Sequence, residues 1–161
     1  MSNEELRVGS LSALPGEKKF GKAEFLVEGQ PFQLPLWLIN GTEAGPTLAV
    51  TAGVHAAEYA SIAAALDLGR SLAPAGMRGR VVVLPVMNVP GFGARSIYIC
   101  PLDGRNLNRV FPGNRAGTAS EVDRTQATGD LHDRSHRGWV EVPSEGVADL
   151  QDRTLTAASK A

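Results

Sequence analysis

His55 and Glu58 stand three residues apart in Gly53-Val54-His55-Ala56-Ala57-Glu58, between an apolar run and an alanine-rich run. At a strand-to-helix junction that spacing lets both side chains face one point, about one helical turn apart. A neutral imidazole and a carboxylate suit Zn2+, and a catalytic zinc needs a third protein ligand and an open position for water. The plainer alternative is a histidine at a helix start beside a surface glutamate, because the helix dipole alone favours an acidic residue in the first turn. The chain has three histidines, so the placement of one at this junction is informative.

A second cluster, Asp103-Gly104-Arg105-Asn106-Leu107-Asn108-Arg109, gathers two guanidinium groups, two amides and a carboxylate. The planar fork of arginine makes two parallel hydrogen bonds to a carboxylate. Beside a metal, an arginine can also stabilise developing oxyanion charge. The alternative is a solvated turn, since Asp-Gly is a turn signal. Leu107, Val110 and Phe111 argue that part of this loop is anchored in a core.

The elements that must carry these residues follow from the apolar pattern. Lys22–Val27 alternates as a strand, Glu28-Gly29-Gln30 supplies a turn, and Phe32–Ile39 returns as an antiparallel partner. Pro31 and Pro35 suggest that this partner lies at a sheet edge. Thr47–Ala52 and Arg80–Asn88 are apolar enough to be strands covered on both faces. Between them, 58–72 fits a helix with Tyr59, Ile62, Ala63 and Leu66 on one stripe. The spacing therefore predicts an α/β fold: a mixed sheet with a parallel β-α-β core flanked by helices. Ligands on such sheets sit beyond the carboxyl ends of the strands, where His55 and Asn88 both fall. Pro90–Gly117 is Gly- and Pro-rich with little periodicity, the mark of a long functional or disordered loop. From about Ala119 the composition turns to Arg, Asp, Ser and Thr, with no evident strand or buried helix, and reads as weakly ordered. The expected division is 1–121 as the folded part and 122–161 as a polar tail.

Composition narrows the function. A hydrophobic share of 43% is that of a globular protein. A formal net charge of -1 without a basic stripe argues against nucleic acid as a partner. Cys100 is the only cysteine, so no internal disulfide forms, which fits a reducing compartment. It has no histidine near it in sequence and reads as a packed small residue rather than a nucleophile. Met1–Leu6 does not resemble a signal peptide, and no apolar run reaches the ~20 residues of a membrane helix. The expectation is a cytoplasmic protein with no membrane partner. Gly91-Phe92-Gly93 lacks the third glycine of a dinucleotide site.

Two phrases together carry a family resemblance: Gly53-Val54-His55-Ala56-Ala57-Glu58-Tyr59, and Pro101-Leu102-Asp103-Gly104-Arg105-Asn106-Leu107-Asn108-Arg109-Val110-Phe111-Pro112-Gly113. From about Leu34 to Glu121 the chain resembles the succinylglutamate desuccinylase/aspartoacylase family, among the zinc carboxypeptidase-like hydrolases. The resemblance implies that His55 and Glu58 are the first two ligands of Zn2+. It implies that Asn108 and Arg109 hold the substrate near the metal, with Arg109 close to the scissile carbonyl or a substrate carboxylate, and that Arg95 is a further substrate-binding arginine. The implied reaction is hydrolysis of the amide bond of an N-acyl amino acid, a small-molecule substrate. Zinc would lower the pKa of bound water, and a separate glutamate would move the proton.

The chain also departs from the family. The third ligand there is a histidine within Asp-Leu-His, and Asp130-Leu131-His132 makes His132 its candidate, with His136 second. The interval Val110–Gly129 is too short and too polar for the helix and apolar strand that precede this histidine in the family. Glu141 and Glu145 lie in no context matching the catalytic glutamate. The chain is therefore expected to be a truncated form with an unrelated ending, as a shifted reading frame after Glu121 or a misplaced gene boundary would produce. Two alternatives stand beside a deacylase: a carboxypeptidase-like peptidase, and a non-catalytic fragment. Half a domain would leave sheet surface uncovered and open to self-association.

Overall fold

The computed structural model describes residues 4–27, 29–110, 113–114, 116–122 and 139–141. A short antiparallel hairpin, β1 (Leu6–Val8) and β2 (Leu11–Ala13), precedes a five-stranded mixed sheet. The sheet contains β3 (Lys18–Val27), β4 (Gln30–Asn40), β5 (Glu43–Thr51), β6 (Arg78–Leu84) and β7 (Trp139–Glu141), in the spatial order β3-β4-β6-β5-β7. Helix α1 (Tyr59–Ser71) joins β5 to β6, and these two strands pair in parallel. The expected α/β architecture with an antiparallel front pair and a β-α-β core is what forms.

Three details differ from the sequence reading. β4 is not an edge strand: its end, Trp37–Asn40, pairs with Val83–Arg80 of β6. Pro31 and Pro35 lie in the half of β4 that pairs only with β3, so they interrupt no second ladder. The buried face of α1 is Ser61, Ile62, Ala64, Ala65 and Gly69, whereas Tyr59 and Ala63 face solvent. Small residues on that face let the helix lie close to the sheet. A Cβ at Gly69 would run into the Trp37 ring. Finally, Trp139–Glu141 forms a strand parallel to Ala49–Thr51, in a stretch whose composition gave no strand signal.

The core explains how distant loops are held. β3 and β4 form a ribbon that extends past β6, and Ala23, Phe25, Leu34 and Leu36 are buried along it. They share one apolar cluster with Leu84 and Met87 at the end of β6, and with Val54, Cys100 and Leu107 from the loops beyond the sheet. At the other end of the helix, Lys18 Nζ donates to the carbonyls of Arg70 and Leu72, 2.7 Å each, and lies 5.3 Å from the Trp37 ring centre. That contact fastens the helix C-terminus to the ribbon, where the dipole favours a cation.

Candidate active site

Because β5 and β6 run parallel, their carboxyl ends open on the same side of the sheet. The chain leaves β5 through Ala52 and Gly53, which bond to the end of β6: Ala52 N donates to Leu84 O (2.9 Å) and Asn88 N to Gly53 O (3.0 Å). Gly53 has φ +60°, and a Cβ there would meet Pro85 O at 3.0 Å and Val86 Cα at 3.1 Å. Both the conformation and the space require glycine. Val54, 1% exposed, then enters the core, and His55 is thereby turned to the opening.

Glu58 is the residue before the first turn of α1, not a member of it, and its side chain makes no cap to the helix. It turns back to His55 instead: Glu58 Oε1 lies 2.9 Å from His55 Nδ1. The backbone supports this, since Glu58 N donates to His55 O at 3.1 Å. The two side chains are 17% and 27% exposed. The contact joins the two side chains directly and is not a helix cap. One imidazole nitrogen and one carboxylate oxygen are donors of the kinds that zinc takes. Among the described residues no third His, Cys, Asp or Glu joins them. His132 and His136 lie outside the described residues.

The second cluster reaches this point through a residue the sequence reading did not single out. Asn106 Oδ1 is 3.1 Å from His55 Nε2 and also accepts from Asn108 N at 2.9 Å. Asn106 caps a single 3-10 turn, Leu107–Arg109. Leu107 is fully buried in the same cluster as Val54, so one core holds both sides of the His55–Asn106 contact. Asn108 and Arg109 lie on the exposed side of that turn. Arg109 forms no ion pair among the described residues. Tyr98 also escaped the sequence reading. Its ring meets the His55 ring edge to face, centroids 5.2 Å apart. Neither contact had a usable signal, since each joins positions more than 40 residues apart without periodicity.

At the start of the stretch Pro90–Gly117 the structure forms helix α2 (Val89–Ala94), capped by Asn88 Oδ1 accepting from Gly91 N at 2.9 Å. Gly91-Phe92-Gly93 lies inside this helix. Arg95 ends it in the left-handed region at φ 57°, a costly conformation for a non-glycine residue. Its side chain is exposed.

A polar clasp fixes the second cluster from below. Ser120 donates to Asp103 through its N–H and its hydroxyl, 2.8 Å each, and Arg105 N adds a bond at 3.1 Å. Burial pushes the Asp103 carboxyl up, but these bonds outweigh it and leave the pKa below the ordinary value. Glu121 accepts from Thr118 N at 2.8 Å and pairs with Arg105 at 3.4 Å. Its pKa is also lowered, chiefly by the Thr118 N–H.

The sequence model of the succinylglutamate desuccinylase/aspartoacylase catalytic domain matches residues 44–137. The chain belongs to this family. A curated relative, N-alpha-acetyl-L-2,4-diaminobutyric acid deacetylase of Halomonas elongata, is 39% identical over 88 residues, 55% of this chain and 25% of that protein. The structure of a succinylglutamate desuccinylase/aspartoacylase from Rhodobacter sphaeroides superposes with a TM-score of 0.65 at 29% identity, covering 77% of this chain and 39% of that one. An aspartoacylase family protein from Mesorhizobium loti gives 0.67 at 26% identity, covering 89% of this chain and 49% of that one. The chain thus spans half or less of the length of each of these family members. The match agrees with the resemblance carried by the His55–Glu58 and Asp103–Gly113 phrases, and with the zinc carboxypeptidase-like fold class. No helix among the described residues is long and apolar enough to cross a membrane.

Proposed function

We propose that this chain carries the metal-binding and substrate-holding part of a zinc-dependent amidohydrolase acting on N-acyl amino acids. The observation that supports this best is the convergence of His55 Nδ1 and Glu58 Oε1, 2.9 Å apart, at the carboxyl end of β5 in a chain of this family. His55 and Glu58 would hold Zn2+, with His132 as the candidate third ligand. The metal would polarise the amide carbonyl and acidify a water. Arg109, exposed and next to the turn that touches His55, would bind the substrate carboxylate through its two-pronged face, with Asn108 beside it. Arg95, three residues before Tyr98, would bind a second acidic group.

The acyl preference is proposed from the relatives: one is named for removal of an acetyl group and others for removal of a succinyl group. A second reading, metal binding without turnover, is favoured by the two-donor cluster, which has no third donor among the described residues. One experiment separates them. Zinc content is measured on purified protein and on His55→Ala, and hydrolysis of N-acetyl and N-succinyl amino acids is followed by release of free amine. Stoichiometric zinc with amine release supports the hydrolase. Zinc without release supports the second reading, and zinc absent from both proteins refutes the metal site.

A further inference from the structure

We propose that exposed aromatic rings flanking His55 and Glu58 form an apolar wall that selects N-acyl amino acids bearing an aliphatic or aromatic group. Exposed apolar side chains gather there. Among the described residues nine large ones are exposed, and six of these are Tyr59, Phe92, Ile97, Tyr98, Ile99 and Leu102. None belongs to a strand. They come from the start of α1, from α2 and from the loop after it, the segments that follow the carboxyl ends of β5 and β6. Both tyrosines of the chain are among them. Apolar surface gathered in this way marks a place where something binds.

Contacts tie the rings to the two polar donors. Tyr98 meets the His55 ring edge to face at 5.2 Å and is still 60% exposed. His55 touches Glu58, and Tyr59, the next residue, meets Phe92 edge to face at 6.1 Å. Tyr59 and Phe92 are 62% and 45% exposed. Tyr98, His55, Glu58, Tyr59 and Phe92 thus form one continuous run, with the polar pair in the middle and open rings at both ends. The loop that carries Tyr98 is pinned at several points. Ser96 N donates to Gly91 O at 2.9 Å, and the Ser96 hydroxyl donates to Ile99 O. Cys100 is buried and donates through N to Arg105 O at 2.8 Å. Side chains held on a fixed frame lose less freedom when a ligand arrives. A few polar groups among apolar and aromatic walls are the ordinary make-up of a small-molecule site. The occupant follows from the juxtaposition: a molecule whose amide reaches His55 and Glu58 also meets rings that pack best on apolar or aromatic groups. That group is either the amino-acid side chain or the acyl chain.

This selectivity rests on the reading of the site as one for N-acyl amino acids, and one experiment separates the two. Binding is measured by calorimetry with excess Zn2+ for N-acetylglycine, N-acetylphenylalanine and N-phenylacetylglycine. The proteins are wild type, Phe92→Ala, Tyr98→Ala and His55→Ala. At least one phenyl ligand should bind wild type about 2–12-fold more tightly than N-acetylglycine, the worth of one ring contact. Whether it is the second or the third ligand tells side chain from acyl chain. Phe92→Ala and Tyr98→Ala should lose that advantage, while Phe92→Ala binds N-acetylglycine as wild type does. Equal affinity of wild type for all three ligands overturns the wall and leaves the site reading standing. A phenyl advantage unchanged in both ring variants also overturns the wall. If His55→Ala binds the phenyl ligands as wild type does and the ring variants do not, the wall stands and the metal-site reading fails. No binding of any ligand to wild type overturns both. Sedimentation covers the remaining occupant: a wild-type dimer that Phe92→Ala or Tyr98→Ala makes monomeric assigns the rings to contact between copies and overturns the proposal.

Discussion

Glu58→Gln replaces a carboxylate oxygen by an amide NH2 at nearly constant size, and the geometry around His55 sets its effect. His55 Nε2 lies 3.1 Å from Asn106 Oδ1 and Nδ1 lies 2.9 Å from Glu58 Oε1; with the single ring proton on Nε2, Nδ1 and Oε1 are two acceptors in contact. A glutamine can turn its NH2 to Nδ1 and form a neutral hydrogen bond with no cation. A fully buried unsatisfied polar group costs about 1–3 kcal/mol. Here the side chains are 17% and 27% exposed, so water shares the burden and the lower end, about 1 kcal/mol, applies. In metal-free protein the variant should be as stable as wild type or up to about 1 kcal/mol more stable. Zinc reverses the ranking. At a free concentration 100 times Kd it adds about 2.7 kcal/mol to a protein that binds it. At about 2–4 °C per kcal/mol for a chain of this size, wild type should melt roughly 5–11 °C higher with zinc than with chelator, and E58Q should not respond. The assay is thermal unfolding of both proteins with chelator and with excess zinc. An equal zinc-induced shift in E58Q would refute the donor assignment. Marked destabilisation of metal-free E58Q would refute the lone-pair argument.

Three further outcomes follow from other contacts. Leu107→Ala empties a fully buried position and should cost about 2–5 kcal/mol in urea unfolding; a loss below about 1 kcal/mol would mean that the loop is not held by that cluster. Asp103 has a folded pKa below its ordinary value of 3.8, so its contribution is present at neutral pH and is lost as pH falls below that value. Asp103→Ala should therefore be less stable than wild type at pH 7, with the gap closing in acid; a gap independent of pH would contradict the clasp. Arg109→Lys keeps the charge and loses the two-pronged geometry. It should weaken binding of an N-acyl amino acid by about tenfold, measured by calorimetry, and unchanged affinity would remove Arg109 from the substrate site.

The sequence was legible where its signals were periodic. Alternation in 22–27 and apolar runs in 47–52 and 80–88 marked β3, β5 and β6, because burial on one or both faces dictates those patterns. It was not legible in β1 and β2, whose three-residue strands are too short to show a period although Leu6, Val8 and Ala13 are buried. Helix α2 was hidden by its own composition: Pro90, Gly91 and Gly93 read as punctuation, yet Pro occupies the helix start, where its missing N–H costs nothing. The pair His55–Glu58 was legible because its spacing is local. Asn106 and Tyr98 were not, because their contacts with His55 are made by folding and leave no trace in local spacing.

The choice of an amide at position 106 bears on what the site can hold. On the proposed arrangement Glu58 is the one carboxylate among the described donors, so those donors would leave a net positive charge on a divalent ion. An aspartate at 106 could accept the same two hydrogen bonds but would cancel that charge through the imidazole ring. Arg105 is engaged by Glu121 at 3.4 Å, whereas Arg95 and Arg109 form no ion pair among the described residues and are exposed. On the proposed arrangement such a cation, with the exposed Arg109 beside the turn that touches His55, would favour an anionic substrate, since opposite charges in a partly desolvated cleft attract more strongly than in bulk water. A free carboxylate on an N-acyl amino acid meets that requirement, and a neutral amide without one does not. Affinity for an N-acyl amino acid should therefore exceed that for its methyl ester, and Asn106→Asp should narrow the difference by lowering the positive charge at the site. Equal affinity for acid and ester in wild type would show that the positive field plays no part in selection.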